Sequence, residues 1–221
     1  MVILNFIIYF VIQRTLYMDD KYLQDISHIK NMMNKSTQFI SLSGLAGIMA
    51  GIYALIGAFI AHKLIENSNT NYDNIVTLES DTFNLILLTA FLVLLLSVTT
   101  AILLTYSKTK KEGATAWNST SKRLLINFLI PLVTGGVFGL LLLQNKNYAL
   151  IAPVTLIFYG LSCVNASKYT LRDVRYLGIT IIIIGLLATE FSGYGLEFWA
   201  LGFGICHIVY GSMMYFKYDR N

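Results

Sequence analysis

Thr82–Tyr106 reads TFNLILLTAFLVLLLSVTTAILLTY, and the five residues that follow, 107–111, read SKTKK. The first stretch has no charged side chain, and the second has three lysines. At 1.5 Å per residue a helix of that length exceeds the roughly 30 Å of hydrocarbon in a bilayer. The lysines sit where a chain leaves lipid for water. This pair of segments therefore reads as a membrane span and its flank, and the rest of the chain repeats the pattern. Further apolar runs occupy Phe39–Ile65, Leu124–Leu143, Tyr148–Ala166, Tyr176–Phe191 and Leu196–Phe216. The run from Tyr176 is short for a span, so it is expected to borrow a turn from Asp173–Arg175 or from Ser192.

Composition agrees with a membrane solvent. Of 221 residues, 56% are apolar and 13% charged, where a soluble domain carries about 25% charged residues. Only Pro131 and Pro153 interrupt the potential for helix. The fold class expected is all-α: a polytopic membrane protein with a six-transmembrane-helix bundle, preceded by an amphipathic cytoplasmic or interfacial helix. The boundaries divide the chain into an N-terminal segment, 1–37, a transmembrane domain, 38–216, and a cytoplasmic tail, 217–221.

Charge sets the expected orientation. Fourteen of the 16 basic residues fall in alternate gaps: Arg14 to Lys35, Lys108 to Arg123, Lys168 to Arg175, and Lys217 with Arg220. The other side has only Lys63 and Lys146, with Glu66, Asp73, Glu79, Asp81 and Glu197. Cytoplasmic loops retain Lys and Arg, so both termini are expected in the cytoplasm. Tyr148, Tyr194 and Trp199 fall at one interface, and Tyr106, Tyr169, Tyr176, Tyr215 and Tyr218 at the other, as amphipathic rings should. The net charge of +4 is thereby accounted for without a nucleic-acid partner.

Two N-terminal segments stand apart. Val2–Ile12 is apolar but, at about 16 Å, too short to cross. It is either a short membrane-surface segment or lies upstream of a start at Met18. Asp19–Lys35 places Tyr22, Ile26, Ile29 and Met33 at helical spacing with acids at its beginning. It is read as an amphipathic helix that positions the first span, or that meets a membrane or cytoplasmic protein partner. The bilayer is the one partner the composition requires, and nothing in the sequence fixes the oligomeric state.

Polar and small residues inside the spans supply the candidate sites. His207 lies mid-span, with Glu190 and His62 at the expected outer ends of theirs. If the bundle brings them together, they would form a polar pocket suited to proton transfer or weak metal binding. The alternative is a neutral His207 bonded to a neighbouring helix. A second cluster comprises Asn165, Lys168, Arg172, Asp173 and Arg175, in which an arginine either pairs with Asp173 or meets lipid phosphate. Ala46, Gly47, Ala50, Gly51, Ala54 and Ala58 form a small-residue stripe fitted to close helix packing, within one chain or between chains. Gly135, Gly136 and Gly139, and Gly202, Gly204 and Gly211, read as further close helix contacts; the alternative is an unwound turn, for which Gly135–Gly136, close after Pro131, is the best candidate. Cys163 and Cys206 lie in apolar runs with no metal-ligand spacing, and no cofactor-binding or catalytic motif is present. Sequons at Asn34, Asn118 and Asn165 all fall on the expected cytoplasmic side, so they are not read as glycosylation sites.

Asn31–Gly57, NMMNKSTQFISLSGLAGIMAGIYALIG, and Tyr194–Lys217, YGLEFWALGFGICHIVYGSMMYFK, resemble the first and last spans of a family of six-span inner-membrane proteins of Bacteroidota-type bacteria. The resemblance implies an inner-membrane location and a start near Met18. That family has no established activity, so no functional residues carry over.

Three functions fit, each with its own geometric demand. With so few ionisable groups in the spans, a non-enzymatic accessory, sensor or scaffold is favoured. A small-solute transporter or channel would need a wet path past Thr99, Thr100, Asn127, Thr134, Ser162 and His207. An intramembrane enzyme would need His207 within hydrogen-bonding reach of Glu190.

Overall fold

The computed structural model describes residues 43–67, 80–111 and 117–220. The chain divides into two units, Met1–Gln38 and Phe39–Asn221, and every described residue belongs to the second. Val2–Ile12, Met18 and Asp19–Lys35 lie outside the described residues. Among the described residues six long helices follow one another: α1 Gly44–Asn67, α2 Ser80–Lys111, α3 Ser119–Gln144, α4 Ile151–Ala166, α5 Asp173–Glu190 and α6 Gly195–Asp219. No strand occurs among the described residues. Five of these helices, α4 together with its flanking turns, are long and apolar enough to cross a membrane. The exception, α5, has 18 residues, about 27 Å, nearly a hydrocarbon thickness. It begins at Asp173, so the turn it borrows comes from Asp173–Arg175. The fold is the expected all-α polytopic membrane bundle.

The helices pack in the order α2, α1, α6, then the α4–α5 hairpin, then α3. Two seams hold the middle together, and both are lined by glycine. In the antiparallel α1–α6 seam, a methyl added at Gly51 would sit 2.6 Å from the Gly204 carbonyl, and one at Gly211 2.6 Å from the Ile48 nitrogen. In the α4–α5 seam, methyls at Gly160 and Gly178 would each lie 2.7 Å from the other's carbonyl. Backbones this close gain dispersion contact that larger side chains would forbid, which is how helices associate without a hydrophobic driving force. Gly47 packs on Gly211, while Ala46, Ala54 and Ala58 are buried and Ala50 is half-buried. Larger side chains fill the space beside the seams, with Leu156, Ile181, Ala188 and Met214 almost wholly enclosed.

The periphery is built differently. Helix α2 packs chiefly on α1, and Leu88, Phe91, Leu94, Ile102 and Leu103 are each more than half exposed. Such a surface is untenable in water and ordinary against lipid. Its hydroxyls are satisfied internally: Thr89 donates to the Leu85 carbonyl and Thr99 to Leu95, each at 2.8 Å.

Helix α3 opens with a capping box, in which Asn118 and Ser121 exchange side-chain and backbone hydrogen bonds. It runs unbroken through Pro131, Gly135 and Gly136, so of the two readings of these glycines the unwound turn is ruled out. Gly135 instead admits the Phe158 ring of α4. The α3 terminus closes with Asn147 N–H donating to Leu142 O and Lys146 N–H to Leu143 O. That motif needs a left-handed residue, and Lys146 supplies it at φ 59°. Irregular backbone falls in α6, which widens to π-helix at Ala200–Ile205 and again at Tyr215–Asp219. The last helix therefore extends three residues past the Phe216 boundary read from sequence.

Candidate functional site

His207 is buried in the middle of α6. The π-turn before it opens the helix by one residue, and the His207 ring bonds the carbonyl at i−5: Nδ1 lies 3.0 Å from Gly202 O. A carbonyl only accepts, so Nδ1 carries the hydrogen. In the neutral ring Nε2 is then the acceptor, and the Tyr159 hydroxyl of α4 donates to it at 2.8 Å. Both ring nitrogens are taken up inside the bundle. Aromatic rings surround the pair. Trp199, Phe203 and His207 recur at i+4 on one face of α6, with ring centroids 5.0 Å and 5.9 Å apart in turn. Phe128 of α3 meets Tyr159 edge-on at 5.9 Å. Three helices thus converge on one hydrogen-bonded dyad in an apolar sleeve. One turn further along α6, the buried Tyr210 hydroxyl has no hydrogen-bond partner among the described residues.

His62 and Glu190 lie elsewhere. Gly47 packs near the His207 carbonyl, and His62 is about four turns further along α1, roughly 20 Å away along the axis. His62 is exposed beside the Lys63–Glu66 pair. Glu190 is exposed at the far terminus of α5. Neither hydrogen-bonds to His207, and no group of three metal-ligating side chains occurs among the described residues. An apolar groove opens near the Glu190 end, lined by Phe191, Tyr194, Glu197, Phe198, Leu201 and Ile205.

The opposite, basic end carries a network. Asp219 accepts from Lys108 Nζ of α2 at 2.6 Å and from the Gly44 N–H of α1 at 2.8 Å. One carboxylate therefore pairs a half-buried ammonium and caps the start of a helix. Asp173 accepts from Lys217 Nζ and from the Tyr218 hydroxyl, each at 2.9 Å. The neighbouring arginines, Arg172 and Arg175, are exposed and pair with no carboxylate among the described residues. Lys168 is exposed on the turn between α4 and α5. Asn165 donates to the Asn127 carbonyl at 2.8 Å, tying α4 to α3. Two of the sequons thus coincide with structural asparagines, one a helix cap and the other an interhelical tie.

Sequence reasoning found His207 but missed Tyr159, and it assigned Asp219 no role. Each lies on a different helix from its partner, and no local period marks such a pairing. What fold and site define is a multi-pass membrane protein with a histidine–tyrosine pair bonded inside its bundle. No family model, curated protein or solved structure matches the chain.

Proposed function

We propose that this chain is a non-enzymatic accessory, sensor or scaffold of a bacterial inner membrane, with both termini in the cytoplasm. The observation that carries the reading is the engagement of His207. A catalytic or transport histidine must reach substrate or water, directly or through a hydrogen-bonded partner. Here one nitrogen meets Gly202 O and the other Tyr159, within stacked aromatics. The residues that would line a transport path support the same reading. Thr99, Asn127, Thr134 and Ser162 all donate to carbonyls one turn back on their own helices, and Thr100 lies 3.4 Å from the Tyr53 hydroxyl. Groups satisfied in this way offer little to a passing solute.

Cysteine scanning tests the reading. In a background lacking Cys163 and Cys206, single cysteines at Asn127, Ser162 and His207 should resist a water-soluble maleimide in intact membranes. Brisk labelling at all three would mark a wet path and replace the scaffold with a transporter. A reporter fused at Asn221 should read cytoplasmic, in keeping with the basic residues at that end.

A further inference from the structure

The arginines beside Asp173 have a use that the ion pairs leave open. Asp173 lies beside Arg172 and Arg175 in the sequence, but its Oδ2 is held by Lys217 and Tyr218. The other described carboxylate at this end, Asp219, is held by Lys108 and the Gly44 N–H. With Lys217 and Asp173 cancelling, the Arg172 and Arg175 guanidinium groups pair with no carboxylate among the described residues. Their position on α5 is specific. Val174, Leu177, Gly178, Ile181, Ile184, Gly185 and Ala188 face the bundle and are buried. Arg172, Arg175, Tyr176, Ile179, Ile183 and Leu187 are exposed, and each lies three or four residues from another of the set, so they form one outward stripe. Tyr176 to Leu187 covers about 16 Å, close to one leaflet of hydrocarbon. Acyl chain can lie along the apolar part while the arginines and the phenol stand at phosphate level.

We propose that this arginine-tipped face of α5 binds a phospholipid whose headgroup carries net negative charge. Guanidinium pairs with phosphate through two parallel hydrogen bonds. A zwitterionic lipid answers much of that demand with its own amine, whereas an anionic one leaves its phosphate charge for the arginines. Residues 172 and 175 thus select for headgroup charge, and Ile179, Ile183 and Leu187 make the ligand a lipid rather than a soluble anion.

The test is native mass spectrometry of the full chain released from nanodiscs of mixed phosphatidylglycerol and phosphatidylethanolamine. The Arg172→Gln/Arg175→Gln variant should lose about tenfold in phosphatidylglycerol preference. The charge-matched Lys110→Gln/Lys111→Gln variant, altered at the same end of the bundle, should keep it. Equal loss in both variants would reduce the effect to the general field of the basic end and overturn the site. Unchanged preference in the arginine variant would overturn it as well. Displacement of the lipid by millimolar inorganic phosphate would identify a soluble-anion site instead. Should the glutamine variant not fold, Arg172→Lys/Arg175→Lys keeps the charge and removes the bidentate geometry. A several-fold loss of preference there supports the proposal, and full retention refutes it.

Discussion

Helices α2 and α6 invert the rule learned from soluble proteins. Among the five spans recognised by length and apolarity, α2 is the most apolar and none of its central residues is buried. Helix α6 is the least apolar, yet it packs on α1, α4 and α5. In water, greasy side chains go inside. In lipid they gain nothing by it, and what goes inside is whatever can be matched there: glycine against glycine, imidazole against phenol, carboxylate against ammonium. Hydrophobicity thus identifies the spans, while small and polar residues identify the interior.

The largest expected effect tests the glycine seams directly. Gly211→Ala places a methyl 2.6 Å from the Ile48 nitrogen, where only backbone can yield. A loss of about 3 kcal/mol is expected, read as a lowered unfolding midpoint in detergent, whereas Leu94→Ala on the lipid face of α2 should cost under about 0.5 kcal/mol. Equal costs would break the contrast between the two helices. Next comes Asp219→Ala, which removes the carboxylate that pairs with the mostly enclosed Lys108 and caps α1. A loss of about 2 kcal/mol is expected by the same measurement. Third is a matched pair of tyrosines. Tyr159→Phe should lose about 1 kcal/mol, because His207 Nε2 is left buried without a donor, whereas Tyr210→Phe should be neutral or stabilising because its hydroxyl has no partner to lose. The smallest effect is a gain. Lys146→Gly relieves the left-handed turn after α3 and should raise stability by about 1 kcal/mol.

Much of the architecture was legible because lipid thickness and charge write themselves into local sequence. Runs such as Thr82–Tyr106 need no knowledge of neighbours, and length alone required the run from Tyr176 to borrow a turn, though not from which end. The interior was less legible. Tyr159 and His207 are 48 residues apart and Lys108 and Asp219 are 111 apart, and nothing in either neighbourhood points to the other. At Gly135 the helix adopts the close-contact reading rather than the unwound turn, for a physical reason. The Phe158 ring fills the notch at Gly135, which gives a regular helix a use for the missing side chain. The actual irregularity, Ala200–Ile205, follows no proline, and its glycines read equally well as packing residues.

The α1–α6 seam also has a temporal meaning. Helix α6 follows the other five along the chain, yet it lies between α1 and the α4–α5 hairpin. During synthesis, the α1–α2 and α4–α5 hairpins can each form from near neighbours, with Gly47 and Gly51 still turned to lipid. Only when α6 slides into its slot do the halves become one body. Assembly is therefore gated by its most distant contact, and that step should be slow relative to hairpin formation. A translocon or chaperone that held the slot open would be acting at the one moment when this protein is two pieces.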